Sequence, residues 1–192
     1  MDNKLKIINY LGKEFDKENT MHELASILRI PYASFHRTVN NMEDLLVIRQ
    51  IGKSKTLKLN LNNPVIECYL AIASEEERKV FVKKKPVIRI IQKELDTDDI
   101  VLLFGSYAQG KERDKSDIDM MIVNKSGGKT ISFSQHELIF RKEINPMFFK
   151  ETEFKSMIKD KDENVGKQAV RSHIVLNNPR NFWNLVIDAI RH

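Results

Sequence analysis

The chain has 192 residues, of which 41% are hydrophobic and 31% charged, with a formal net charge of +5. That length carries one large domain or two small ones, each with a real core, and the apolar share excludes general disorder. No apolar run is long enough to cross a bilayer, so no membrane partnership is expected.

The opening residues alternate charge with apolar side chains, so no secretory signal is read there. Cys68 is the single cysteine. It excludes an internal disulfide and lies in an apolar helical stretch, which predicts a buried structural thiol in a reducing, cytoplasmic setting. Residues 1–62 hold ten Lys/Arg against seven Asp/Glu. Arg49, Lys53, Lys55 and Lys58 fall in a segment, 45–66, with no acid at all. A stripe of this kind suits a polyanion, although a solvated edge has the same composition.

In chain order, residues 4–15 carry Leu5, Ile8, Leu11 and Phe15 at helical spacing. Thr20 with Glu23 three residues on forms a capping box, and Leu24, Ile27 and Leu28 supply the stripe of a second helix. Pro31 restarts the chain. A third helix is predicted from Tyr32 to Leu46, with Phe35, Val39, Met42 and Leu46 on one face. Val47–Gln50 and Leu57–Asn60 then flank a basic, glycine-containing tip, Ile51 to Thr56, as a β-hairpin.

Two helices, a turn, a third helix and a hairpin within about sixty residues is an order that resembles the winged helix-turn-helix superfamily. The resemblance implies a DNA-binding domain over 1–62 whose third helix enters the major groove of double-stranded DNA. Ser34, His36, Arg37 and Asn40 would then face the bases, and Lys53 and Lys55 at the hairpin tip would meet phosphates. A homodimer spanning two half-sites is compatible with such a module. Winged helices also serve as protein-interaction modules, a reading that these residues leave open.

Residues 63–85 are predicted to be a helical connector that starts at Pro64, and Pro86 opens a further helix to Leu95. Domain organisation is therefore 1–62, 63–85 and 86–192. Ile100–Phe104 is a buried strand by length and β-branched content. Gly105-Ser106 ends it, a polar stretch leads to Ser116, and Asp117-Ile-Asp119 opens a second strand running to Val123. Alternate strand residues share a face, so Asp117 and Asp119 project together, their Cα atoms about 6–7 Å apart. Two like charges opening an apolar strand need compensation, which a hard divalent cation supplies. Gly105 lets backbone approach a phosphate, and Ser106 adds a hydroxyl donor.

GSYAQG followed by SDID resembles the signature of the minimal nucleotidyltransferases of the DNA polymerase β superfamily. The fold class it implies is α+β, with a small mixed-sheet nucleotidyltransferase domain after the winged helix. By that resemblance Gly105, Ser106, Gln109 and Gly110 hold the phosphates of an NTP, Ser116 orients the acidic strand, and Asp117 and Asp119 hold Mg²⁺ or Mn²⁺. The resemblance further implies an acceptor hydroxyl on a protein, a small molecule or an RNA end, with a HEPN-type toxin one kind of protein partner.

Two departures stand out. The family often has Arg where this chain has Gln109, so a cationic grip on the triphosphate is either missing or comes from Lys111 or Arg113. The superfamily also expects a third carboxylate on a later strand. In the strand predicted over Arg141–Phe149, Asn145 stands in that place and Glu143 is one step back on the same face, so Glu143 is the third catalytic candidate. A surface acid on an edge strand is the competing reading. With a weak third acid, a DNA-binding regulator that senses NTP without turning it over is the rival to an active enzyme. Helices over 151–158, 163–173 and 181–190 and a short strand over 174–176 complete the prediction. Trp183 is read as core, and His136 and His173 as lone histidines.

Overall fold

The structure is a computed structural model, and it describes residues 1–191. The chain divides into two compact units, Met1–Ala73 and Ser74 onward.

In the first unit, α1 (Asn3–Lys13) is capped by Asp2, whose carboxylate accepts from the Leu5 N–H at 2.8 Å. A two-residue strand β1 (Asn19–Thr20) leads into α2 (Met21–Ile27), and the capping box is present: Glu23 N–H donates to the Thr20 hydroxyl and Thr20 N–H to the Glu23 carboxylate. Then α3 (Tyr32–Asn40) follows, shorter than the predicted Tyr32–Leu46. Beyond the Asn40-Asn41 pair the chain tightens into a 3-10 turn, Glu43–Leu45, so Met42 and Leu45 are buried from outside the helix.

Strands β2 (Leu46–Ile51) and β3 (Ser54–Leu59) form the hairpin in register Ile51↔Ser54, and β1 adds to the far side of β3. The turn is therefore only Gly52-Lys53. Gly52 has φ +61°, the conformation that a two-residue turn needs at its first position. Lys55 sits on β3 opposite Gln50 and not at the tip. Ile7, Ile8, Leu24, Phe35, Val39 and Leu57 are fully buried in this unit.

A single helix, α4 (Val65–Lys84), carries the chain across the division. Its buried stripe is Ile66, Leu70 and Ala73. Cys68 points off that stripe and is exposed, which corrects the expectation of a buried thiol: the helix is apolar on more than the side it buries.

The second unit opens with α5 (Pro86–Lys93), Pro86 standing at the first helical turn where its missing N–H costs nothing. The strands β4 (Ile100–Leu103), β5 (Ile118–Asn124), β6 (Ile144–Lys150) and β7 (Ile174–Asn177) make a mixed sheet in the order β6-β5-β4-β7. The β5–β6 pair is parallel; β4 runs antiparallel to both β5 and β7. Between the strands lie the one-turn helix α6 (Gly105–Ala108), α7 (Ser134–Phe140), α8 (Glu151–Lys159), α9 (Val165–Arg171) and finally α10 (Pro179–Arg191). The sequence pattern had left α7 unassigned.

Alternation sorts the two faces of the sheet. Val101, Leu103, Ile118, Met120, Ile122 and Ile144 join Ile88 and Ile91 of α5 in one core. Asp119 and Met121 therefore project to the other face, where α8 lies against β5 and α10 against β4. Trp183 of α10 is fully buried, and its indole N–H donates to the Ser74 hydroxyl at 2.8 Å. His173 packs edge-on against both Phe182 and Trp183. Among the described residues no helix is long and apolar enough to cross a membrane.

Trp183→Ala is expected to destabilise the second unit by about 3–5 kcal/mol, the usual cost of emptying an aromatic site in a core. Chemical denaturation of the variant measures this, and a shift below about 1 kcal/mol would show that α10 is not integral to the fold.

Candidate functional site

The site begins with backbone geometry at the end of β4. Gly105 adopts φ +69° as it opens α6, and a Cβ built there would overlap Asp119 Oδ2 and stand 3.2 Å from Asp119 Cγ. Only glycine admits both that backbone and that neighbour. The strand pairing locks the approach, because Phe104 N–H donates to the Asp119 carbonyl at 3.1 Å. The Asp119 side chain thus faces the glycine-serine turn. One further backbone bond, Lys111 N–H to the Ser106 carbonyl at 2.9 Å, closes the loop that follows, and Gly110 turns it with φ +66°.

Asp117 lies one residue before β5, two positions from Asp119 and so on the same face. In the parallel register Asp119 stands opposite Asn145 of β6. The Asn145 amide donates to Asp117 Oδ2 over a long 3.5 Å. Burial pushes the Asp119 carboxyl above the ordinary aspartate value; the Asn145 amide works against that shift, and the Asp117 charge adds to it. The amide thus lies by both carboxylates, donating to Asp117 and, as a hydrogen-bond donor, holding Asp119 down against the effect of burial.

Two carboxylates form a hard, oxygen-only donor set. Among the described residues no cluster of three or more His, Cys, Asp or Glu side chains gathers that could hold a metal. The set fits an ion that takes one or two carboxylates and completes its shell with water and substrate phosphates, as Mg²⁺ does. The half-buried, mutually repelling pair at 117 and 119 is the feature of the fold that calls for such a cation.

The cleft beside Asp119 has a volume of about 500 Å³. Phe104, Gly105, Gln109 and Asp119 line one side, Met147 of β6 contributes, and Glu163, Gln168 and Arg171 come from the α9 region. Gln109 is thus brought to the Asp119 cleft. Ser116 uses its hydroxyl to accept from Arg113 N–H at 2.8 Å, so it ties the loop ahead of the acidic strand. Lys111 and Arg113 are exposed and lie outside the lining of the cleft. Glu143 is exposed just ahead of β6, where its backbone carbonyl accepts from Ile118 N–H at 2.9 Å; its carboxylate is not part of the cleft lining. Arg171 and Glu163 were not singled out in the sequence. Nothing in their local pattern connects a helix end at 171 with a turn at 105, and only the fold brings them together.

The residues read as DNA-facing separate into two groups. His36, Lys53 and Lys55 line one shallow cavity of about 240 Å³ with His22 and Tyr32, whose rings stack at 3.9 Å. Arg37 and Asn40 are exposed on α3, and the Asn40 amide lies 3.5 Å from His36 Nδ1. Ser34 is instead half-buried, its hydroxyl accepting from the Asn3 amide of α1 at 3.3 Å.

The mixed sheet with an acidic, glycine-backed cleft defines a small α+β domain. The chain belongs to the polymerase β nucleotidyltransferase family: the family model described as "Polymerase beta, Nucleotidyltransferase" matches residues 85–180. Membership carries a transferase activity in general, and such domains generally use a divalent metal and an NTP. No curated protein and no solved structure gives a significant match to the chain.

Gly105→Ala is expected to cost about 1–2 kcal/mol from the left-handed backbone alone. It also forces the Asp119 carboxylate off the turn. Urea denaturation reads the first effect, and Mn²⁺ titration followed by electron paramagnetic resonance reads the second as weakened binding. Wild-type values in both would show that the glycine is dispensable.

Proposed function

We propose that this protein transfers a nucleoside monophosphate from an NTP to an acceptor hydroxyl, with Asp117 and Asp119 holding Mg²⁺ or Mn²⁺. The observation that carries the reading is the approach of Asp119 to the Gly105 turn within the family-matched segment. Gly105, Ser106 and the Gln109-Gly110 turn receive the phosphates, and Ser116 stiffens the loop between them and the acids. The new bond joins the acceptor oxygen to the α-phosphorus, the α–β phosphoanhydride bond breaks, and pyrophosphate leaves with its electron pair. Glu143 is the acid proposed to take the hydroxyl proton. When bound, the cation neutralises phosphate charge and acidifies that hydroxyl. The chain's own share is positioning: a rigid turn and two fixed carboxylates hold the reactants in line. The acceptor is a protein side chain, a small molecule or an RNA end, a HEPN-type toxin among the protein partners.

Incubation with each labelled NTP, Mg²⁺ and cell lysate is expected to label an acceptor and release pyrophosphate, and Asp119→Asn is expected to lower the rate by about a hundredfold or more. Full activity in that variant would overturn the assignment.

A second reading, a regulator that binds NTP without turnover, is favoured by one observation. The parallel register gives Asp119 an amide, Asn145, where a third acid would complete the site. Tight NTP binding without pyrophosphate release would select it.

Residues 1–62 act, in this proposal, as a winged helix-turn-helix on double-stranded DNA. The element order α1-β1-α2-α3-β2-β3 and the clustering of His36, Lys53 and Lys55 support it. A homodimer on paired half-sites suits such a module. Random duplex should bind at low salt, and Lys53→Gln with Lys55→Gln should lower the slope of log affinity against log salt by about one per lysine. Absence of any duplex binding at low salt would remove the DNA role.

A further inference from the structure

The cleft beside Asp119 poses a charge problem that the glycine-serine turn does not solve. Its wall carries Asp119 and Glu163, and Asp117 stands next to Asp119 on the same face, whereas the triphosphate proposed to enter is itself a polyanion. Arg171 is the only basic side chain among the described residues that line it. Its guanidinium donates from Nη1 to Glu163 Oε2 at 2.6 Å, with the arginine side chain 26% exposed and the glutamate 48% exposed. The arginine is thus the more sheltered partner, fixed at the last residue of α9. The acid sits ahead of that helix, outside regular structure, and is largely in water.

We propose that Arg171 is the cation that grips the phosphate tail of the nucleotide, and that Glu163 holds it until phosphate takes the carboxylate's place. This rests on the NTP-dependent reading given above. The exchange is favourable on simple grounds. A guanidinium offers a planar fork that matches phosphate oxygens as well as it matches a carboxylate. An exposed ion pair is weak, so releasing Glu163 to water costs little. A phosphate bound beside Asp119 and a cation held there gains a second positive partner in Arg171. Gln109, which also lines the cleft, is neutral and gives hydrogen bonds but no charge. Before phosphate arrives Arg171 cancels the charge of Glu163 on the cleft wall, and once the carboxylate is displaced it presents its own charge to the polyanion.

The test measures equilibrium binding of a fluorescent ATP analogue with Mg²⁺, with inorganic tripolyphosphate and adenosine as competitors. Arg171→Gln is expected to weaken the analogue and tripolyphosphate by about tenfold to a hundredfold, the range for loss of a charge-assisted contact, and to leave adenosine unchanged. Arg171→Lys should recover part of the loss. Glu163→Gln should tighten triphosphate binding by up to about fivefold, since it removes a competing anion. Unchanged melting temperatures accompany these values if the fold is intact, as the partial exposure of both side chains implies.

Wild-type affinity for tripolyphosphate in Arg171→Gln would overturn the inference while leaving the nucleotidyltransferase reading in place. Equal weakening of adenosine and triphosphate would overturn it too, by assigning Arg171 to the base or to the fold. Weakening by Glu163→Gln as large as that by Arg171→Gln would overturn the exchange. No nucleotide binding by the wild-type protein would overturn both readings.

Discussion

The second unit depends on one close approach, that of the Asp119 carboxylate to the backbone of Gly105. Two constraints meet there. The antiparallel pairing of β4 with β5, extended by the Phe104 N–H to the Asp119 carbonyl, fixes the backbones side by side. The positive φ of Gly105 then bends the chain across the end of β5 and brings the turn over the carboxylate. A side chain at 105 would push the acid away, and an apolar residue at 119 would continue the strand's alternation as core. The half-buried acid is tolerated because Ile118, Met120 and Ile122, between and beyond the aspartates, are buried on the opposite face. The sheet supplies the stability that the site uses to hold two like charges together.

Much of this was legible because it is local. Period-two alternation placed Asp117 and Asp119 on one face, and the glycine before a serine at a strand end announced a turn. Thr20 and Glu23 gave the start of α2 from three residues of spacing. The missed features are those decided by distant contacts or by weak local signal. The third helix stops at Asn40 although Met42 and Leu46 keep its apolar rhythm, because the 3-10 turn buries the same residues by another route. Cys68 sits among apolar neighbours, yet only the stripe 66, 70 and 73 meets the core. Helix α7 has no buried residue, so no stripe marked it; Leu138 and Ile139 are exposed. Arg171 could not be found from sequence, since its partner in chemistry lies fifty residues upstream.

The sequence did flag Asn145, and the register shows why that residue bears on the chemistry. A carboxylate there would place a third negative charge opposite Asp119, raising the repulsion that already shifts its titration. The amide instead donates toward Asp117, so part of the compensation that a cation would have to supply comes from the protein. Arg171 also lines the cleft, where Glu163 balances its charge. An amide in place of an acid, and an arginine that cancels Glu163, both leave the pocket less negative than its carboxylates alone would make it, and a less negative pocket binds metal less avidly but a polyanionic nucleotide more readily. The balance therefore shifts from ion capture toward nucleotide capture. Proton removal from an acceptor gains nothing from either residue: an amide and a guanidinium are not bases. An active enzyme built this way has to find its base at Glu143, in solvent or on the acceptor, whereas nucleotide binding requires no base. This asymmetry is why binding and turnover have to be measured separately for this fold.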